Sequence, residues 1–301
     1  MKPLVTIGMC LHNCESTLSK AIKSISDQDF PHEKMQLIFV DDGSKDHTLK
    51  IVEAYISKMD IQTKVFKTEW RGLGIARNLI LDNADGEYIT WVDADEILTP
   101  SYIRKQVEFM EKNPDVGITA GVFGLVPRNL VLNLELLPHI VIHGMFDRPP
   151  SFLWKTKKVP GTGGTTFRTK ALRQVNGFDK RFKGAGEDVN VAIRIRNSGW
   201  LIQLNDAVLY ELHNGMSTFK DLWKKYYWYG YGGQQLHVEN RDAFSLPRMS
   251  PPAGFITGFV FSIDAYKLKR QKSVFLLPLH YCFKTTAWML GFIDSQIRSK
   301  H

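Results

Sequence analysis

Asp93 and Asp95 stand either side of one small residue in Thr90-Trp-Val-Asp-Ala-Asp-Glu-Ile97, and Glu96 follows directly. In an extended or turning backbone, residues i and i+2 point to the same side, so both carboxylates can approach one point. Negative charges this close repel one another and require something positive among them: a Lys or Arg, solvent, or a metal. Hard oxygen donors, few in number and leaving positions open for water and phosphate, suit a Mg2+ or Mn2+ ion that holds a diphosphate. The same residues also suit a solvated acidic turn that caps the next helix. An EF-hand is disfavoured, because Ile97, Thr99 and Ser101 reproduce neither its ligand spacing nor its central Gly.

Other residues add to this pair. Asp41-Asp42-Gly43-Ser44 offers a carboxylate that can accept a nucleobase N–H, with Ser44 as cap of the following helix, and it is also an ordinary turn. Arg77 lies in the first turns of a helix opened by Gly72-Leu-Gly74, where a guanidinium and helix N–H groups can meet phosphate or where a structural Arg can pack. Gly161-Thr-Gly-Gly164 lacks the Gly-Lys-Ser/Thr ending of a P-loop, so it marks a close backbone approach, to substrate or to packing. Glu187-Asp188 opens a helix, where acidic residues are favoured in any case. A carboxylate at the mouth of a sheet can also act as general base toward a hydroxyl. His213, after the strand-like Val208 to Leu212, is either a buried hydrogen-bonded His or a late metal ligand.

These residues need elements to hold them. Val5 to Leu11 has the pattern of a strand, and Leu18, Ala21, Ile22 and Ile25 recur at helical spacing; the apolar run Leu37 to Val40 and the face Leu49, Val52, Ile56 repeat the unit. Further strands are expected at Thr63 to Lys67, Tyr88 to Val92 and Val116 to Val122, with a helix near Ile75 to Ala84. Another helix, with Ile103, Val107 and Met110 facing inward, is expected to take Thr99 as N-cap and Pro100 as its first residue. Strands alternating with helices predict an α/β fold with a mostly parallel sheet covered on both faces. In such sheets ligands gather beyond the carboxyl ends of the strands, where Asn13, Asp42, Asp93 and Asp95 fall. After about residue 123, where prolines are frequent, the periodicity degrades and no element is assigned. It returns with a helix from Glu187 to Asn197, closed by Gly199.

With 301 residues, 44% hydrophobic and 23% charged, the chain can bury a full core. Three cysteines without a CxxC pair argue against a disulfide framework or a zinc site, and predict a reducing, cytoplasmic setting. The first residues read as a strand and not as a signal peptide. Most of the net charge of +8 lies after residue 219, where twelve Lys and Arg face five Asp and Glu. There Trp223 to Gly233 mixes aromatics with Lys, and Lys267, Lys269, Arg270 and Lys272 separate the apolar runs Gly254 to Ile263 and Ser273 to Ile293. The last run approaches a bilayer's length but carries His280 and Lys284. The sequence therefore predicts a peripheral, re-entrant or in-plane attachment to an anionic membrane surface, on its cytoplasmic face. Long apolar runs between the basic residues, and no nucleic-acid motif, argue against nucleic acid.

Taken in order, these pieces resemble the inverting family 2 glycosyltransferases of the GT-A fold. The resemblance runs from Pro3-Leu-Val-Thr-Ile and Asn13 through Val40-Asp-Asp-Gly-Ser44, Gly74-Ile-Ala-Arg-Asn78 and Asp85-Gly-Glu-Tyr88 to Asp93-Ala-Asp95. It continues with Phe167-Arg168, Val175-Asn-Gly-Phe-Asp179, Gly186-Glu-Asp188 and Gly199-Trp200, and covers residues 3 to about 215. It implies a Rossmann-like catalytic domain over 1–219, with a nucleotide-sugar half to about 122 and an acceptor half beyond. A basic, aromatic helical extension over 220–301 would follow. It implies transfer of a sugar from a UDP- or GDP-sugar to a hydroxyl of a glycan or lipid-linked acceptor, with Mn2+ or Mg2+. It also implies roles: Asn13, Asp42, Arg77, Asp93 and Gly164 at the nucleotide sugar, Asp95 and His213 at the metal, and Asp188 as base, with Glu187 next in line. Glu96 replaces a frequent Asp, and Asn176 a frequent Gly. A nucleotidyltransferase on a related fold and a non-catalytic sugar-nucleotide binder are the competing classes; Glu187-Asp188 counts against the first, and the presence of both Asp95 and Asp188 against the second.

Overall fold

A computed structural model of the chain describes residues 2–124, 129–144 (139–144 as backbone), 160–182, 185–212, 218–241 and 243–299. It divides into two compact units. The first comprises Met1–Gly124, Leu153–Arg181 and Glu187–Asn214; the second comprises Leu125–Phe152, Phe182–Gly186 and Gly215–His301.

The first unit is built on eight strands. They are β1 (Val5–Leu11), β2 (Met35–Asp42), β3 (Gln62–Thr68), β4 (Tyr88–Trp91), β5 (Glu96–Leu98), β6 (Val116–Gly124), β7 (Thr165–Arg168) and β8 (Leu201–Glu211). They form one sheet in the order β3-β2-β1-β4-β7-β6-β8-β5. The run from β3 to β4 is parallel, as the alternating periods predict. Beyond β4 the sheet is mixed, since β7 lies antiparallel to both β4 and β6, and β5 antiparallel to β8. The short β5 was hidden in the sequence because it starts inside the acidic turn that ends β4.

Alternation along the strands sends side chains to two layers. Ile7, Met9, Leu37 and Phe39 pack with α1 (Leu18–Ser26), α2 (Thr48–Ile56) and α4 (Tyr102–Lys112) on one face. Ile38, Val40, Ile89 and Trp91 pack with α3 (Leu73–Asn83), α6 (Thr169–Gln174) and α7 (Glu187–Asn197) on the other. Burial on both faces is why β2 reads as one apolar run. Two expected caps are corrected. The N-cap of α4 is Ser101, because the Thr99 hydroxyl is taken by the Val208 carbonyl at 2.7 Å. Ser44 does not cap α2; its hydroxyl accepts the Asn13 N–H at 3.0 Å, while Asp46 accepts the Thr48 N–H at 3.0 Å.

The second unit is helical: α5 (Leu130–Gly144), α8 (Phe219–Glu239), α9 (Pro251–Lys269) and α10 (Leu277–Arg298). Helix α5 escaped the sequence reading because it is apolar nearly all round and contains Pro138. Thr218 and Asp221 form a reciprocal capping box at the start of α8. The Glu135 carboxylate of α5 is buried against α8 and α10, where it accepts hydrogen bonds from Tyr226 (2.7 Å) and Lys284 (2.7 Å) and meets His280 at 2.5 Å. Among the described residues no helix is long and apolar enough to cross a membrane.

Candidate functional site

The carboxyl ends of β1, β2 and β4 carry the residues singled out in the sequence. Asn13 follows β1 with φ +49 and staples two loops: its N–H goes to Ser44 Oγ, and its Oδ1 accepts the Lys45 N–H at 2.8 Å. Asp42 ends β2 and is buried. Its carboxylate accepts the Thr68 hydroxyl at 3.0 Å and the N–H groups of Arg71 and Gly72 at 2.9 Å each, so it fixes the loop that opens α3. Its neighbour Asp41 keeps Oδ1 buried without a hydrogen-bond partner.

The acidic turn after β4 divides its labour. Glu96 folds inward, only 2% exposed, and its Oε2 accepts the Asp93 N–H at 2.9 Å and the Gly164 N–H at 3.1 Å. Burial pushes its carboxyl well up, and the nearby charges of Asp93, Asp95 and Glu211 add to the effect. Glu211 stands directly opposite Glu96 in the β5–β8 register, where like charges are unfavourable. Glu96 thus ties the turn to the glycine loop. The Asp95 carbonyl accepts the Leu212 N–H at 2.7 Å. His213 itself lies outside the described residues.

The loop Gly161-Thr-Gly-Gly164 runs close along these acids. A Cβ on Gly163 would fall 2.4 Å from Glu96 Oε1 and 3.2 Å from Asp93 Oδ2; one on Gly161 would fall 3.0 Å from Asp188 Oδ2. Gly164 has φ +58, and its carbonyl accepts a short hydrogen bond from the Tyr102 hydroxyl. No local pattern marked Tyr102, because its partner is 62 residues away. The loop therefore has the Asp188 carboxylate at one end and those of Asp93 and Glu96 two residues along.

Glu187 and Asp188 open α7 and face different surroundings. Glu187 is buried and forms an ion pair with the equally buried Arg77 of α3, whose guanidinium also lies 5.5 Å from the Phe178 ring centroid. Burial pushes the Glu187 carboxyl up, while the charge of Arg77 pulls it back. Asp188 is half-buried; its Oδ1 accepts the Val189 N–H at 2.7 Å, and its Oδ2 faces Gly161. Cys10, which the sequence did not single out, lies within the field of Arg77, Asp93, Asp42 and Glu187, and burial pushes its thiol up to about 12.

The donor chemistry fits a hard divalent cation. Asp93 and Asp95 place two carboxylates in one short turn, hard oxygen donors of the kind such an ion takes. Among the described residues no three His, Cys, Asp or Glu side chains form a complete metal-binding group.

Comparison with known proteins places the chain. It is 27% identical over 220 residues to the Bacillus subtilis (strain 168) protein EpsE, named as a glycosyltransferase, covering 72% of this chain and 76% of that one. It is 31% identical over 102 residues to the Staphylococcus aureus (strain Mu50 / ATCC 700699) poly(ribitol-phosphate) beta-N-acetylglucosaminyltransferase TarS, covering 34% of this chain but only 18% of TarS. Among solved structures, the mannosyltransferase PcManGT from Pyrobaculum calidifontis, in complex with GDP-Man and Mn2+, superposes with TM-score 0.68 at 17% identity, covering 98% of this chain and 88% of that chain. Residues 1–349 of S. aureus TarS in complex with UDP superpose with TM-score 0.53 at 17% identity, covering 99% and 92%. The mixed sheet with flanking helices is the GT-A fold of these neighbours, and the sequence model described as Glycosyl transferase family 2 matches residues 6–175. The chain belongs to glycosyl transferase family 2.

Proposed function

We propose that this glycosyltransferase moves a sugar, with inversion, from a nucleotide-diphosphate sugar to a hydroxyl on a glycan or lipid-linked acceptor beside an anionic membrane surface at the cytoplasmic face. The observation that carries this reading is the glycine loop, which has the Asp188 carboxylate against Gly161 and the Asp93 carboxylate against Gly163. A base and a diphosphate-binding acid then flank one short stretch of backbone, and the glycines let these carboxylates approach it where a side chain would clash.

Each residue has a task in that reading. Asp42, with Asn13, holds the loops that receive the nucleoside. Asp93 and Asp95 face the diphosphate, and Asp95 with His213 would hold Mn2+ or Mg2+. When bound, that ion neutralises charge on the leaving phosphate. Asp188 acts through Oδ2, since Oδ1 is engaged by its own helix, and takes the proton of the incoming hydroxyl as that oxygen bonds to the anomeric carbon and the nucleoside diphosphate departs. A single displacement inverts the centre. Arg77 acts through Glu187: their ion pair fixes the first turn of α7 and so the position of Asp188. Membrane proximity of the acceptor is supported by the basic excess after residue 219. PcManGT was solved with GDP-Man and TarS with UDP-GlcNAc, so both bases belong in the test.

The experiment is a panel of UDP- and GDP-sugars with Mn2+ or Mg2+, read as thermal stabilisation and as nucleotide release. One donor class should stabilise the protein and release nucleotide in a cation-dependent way. Stabilisation without release from any donor, with or without added glycan acceptors, would leave the sugar-nucleotide binder as the better reading.

A further inference from the structure

The second unit has apolar cores of its own, around Leu134, Leu137, Val274 and Leu277 and around Val131, Leu132, Leu136 and Leu222, yet it also turns large apolar faces outward. In α9 the inward positions are Gly254, Gly258, Ser262 and Ala265, spaced four, four and three residues apart on one side of the helix. A Cβ on Gly258 would meet the Leu277 carbonyl oxygen at 2.4 Å, and one on Gly254 the Thr285 hydroxyl at 2.5 Å, so only small residues permit this approach to the α10 segment. The opposite side carries Phe255, Ile256, Phe259, Val260 and Ile263, which are 42–64% exposed. Helix α10 repeats the inversion: His280 and Lys284 are buried on Glu135, whereas Leu279 is 63% exposed and Leu290, Ile293 and Ile297 also face outward.

A helix that belongs in water buries its large apolar residues and exposes the polar ones. Small residues and paired charges inside, with large aliphatic and aromatic residues outside, are what a helix bundle needs when its surroundings are themselves apolar. An apolar face this long on a folded unit marks a surface made for a partner. Its chemistry is given by what borders it. Lys267, Lys269, Arg270 and Lys272 follow the apolar stripe, and all of them lie at or just past the C-terminal end of α9. Among the described residues no helix is long and apolar enough to cross a bilayer. Charge complementarity selects an anionic surface that is apolar just beneath its charges.

We infer that the outer face of α9, continued by Leu279, lies in the plane of an anionic lipid leaflet. In this arrangement Ile256, Phe259 and Ile263 enter the acyl boundary and the four basic residues sit among the headgroups. The inference deepens the membrane-proximal reading given above, on which it rests only for what the attachment serves. The Glu135–His280–Lys284 cluster fits this arrangement, because it holds the His280 and Lys284 side chains of α10 inside the bundle next to the exposed Leu279.

The test is flotation of the full chain with vesicles of phosphatidylcholine alone or with phosphatidylglycerol added, at low and high salt. The full chain should float only with the anionic vesicles. Ile256→Ser/Phe259→Ser/Ile263→Ser, all at exposed positions, should lower the partition constant at least about tenfold. Lys267→Gln/Lys269→Gln/Arg270→Gln/Lys272→Gln should lower it by about fivefold per residue and flatten its salt dependence. Equal flotation of the triple variant and the native chain would overturn the inference. So would self-association of the native chain that the triple variant abolishes without any vesicle binding, since a second copy would then cover the face. Nucleotide release without vesicles should be the same in the native chain and the triple variant. If it is absent from both while flotation behaves as stated, the catalytic reading fails and the lipid face stands.

Discussion

Replacing Arg77 with methionine leaves the buried carboxylate of Glu187 without its counter-ion. The side chains of the pair are 6% and 3% exposed, so water cannot take over the lost interaction. Removing one partner of a buried ion pair typically destabilises by about 3–5 kcal/mol, because the remaining charge is buried uncompensated. The sign of the pH dependence follows from burial, which raises the Glu187 carboxyl above its unfolded value. A raised carboxyl contributes fully to stability below its unfolded pKa, and the contribution is lost as pH rises through the folded value. Without Arg77 to pull it back, the rise is larger. The deficit of Arg77→Met should therefore grow between about pH 5 and pH 8, by at most ~1.4 kcal/mol per pH unit. Arg77→Met/Glu187→Gln, which removes both charges, should recover most of the loss and flatten the pH profile. The assay is urea unfolding of the full chain across that pH range, beside donor titration and turnover. Turnover should fall while donor affinity changes little, since Asp188 loses its anchor and the diphosphate site does not. A variant that costs under about 1 kcal/mol at every pH, or that loses donor affinity and keeps its maximal rate, would refute the positioning argument and return Arg77 to the phosphate.

Two further outcomes follow from the same geometry. Asp95→Ala should abolish transfer and remove most of the divalent-cation dependence of donor binding with the fold intact; near-normal turnover in chelator would show that the acidic turn holds no ion. Glu135→Gln should destabilise the helical unit at neutral pH by leaving His280 and Lys284 without their shared anion, on the order of 3 kcal/mol. The interactions with His280 and Lys284 outweigh burial and hold the Glu135 carboxyl well below the usual range. Its contribution is present above the unfolded carboxylate pKa and disappears as pH falls through the folded value, so the native chain and the variant should converge in acid. A difference that persists there would contradict the assignment.

The parts legible in the sequence were those whose determinants are local. Strand β1 and helix α7 have the bounds expected from periodicity and from Gly199, which adopts φ +96 after the helix. The acids at strand ends were legible because each follows an apolar run directly. What stayed hidden depends on distance in the chain. The Arg77–Glu187 pair joins residues 110 apart, and nothing near either one marks it. The inward turn of Glu96 comes from pairing with the Gly164 N–H, 68 residues on, so a single acid in a row of three could not be told from its neighbours. The faces of α9 stayed hidden for a different reason: its large apolar residues lie outward and its small ones inward, and an apolar run such as Gly254 to Ile263 does not say which side is covered.

The central claim is that Asp188 is the base, and the most direct measurement is the separate determination of donor affinity and maximal rate in Asp188→Asn. The amide keeps the shape beside Gly161 and can still accept the Val189 N–H, so the fold and the donor site should be unchanged. The account predicts native donor affinity with turnover lower by roughly two to four orders of magnitude, the typical contribution of a positioned general base. Loss of donor binding with an unchanged maximal rate would contradict it.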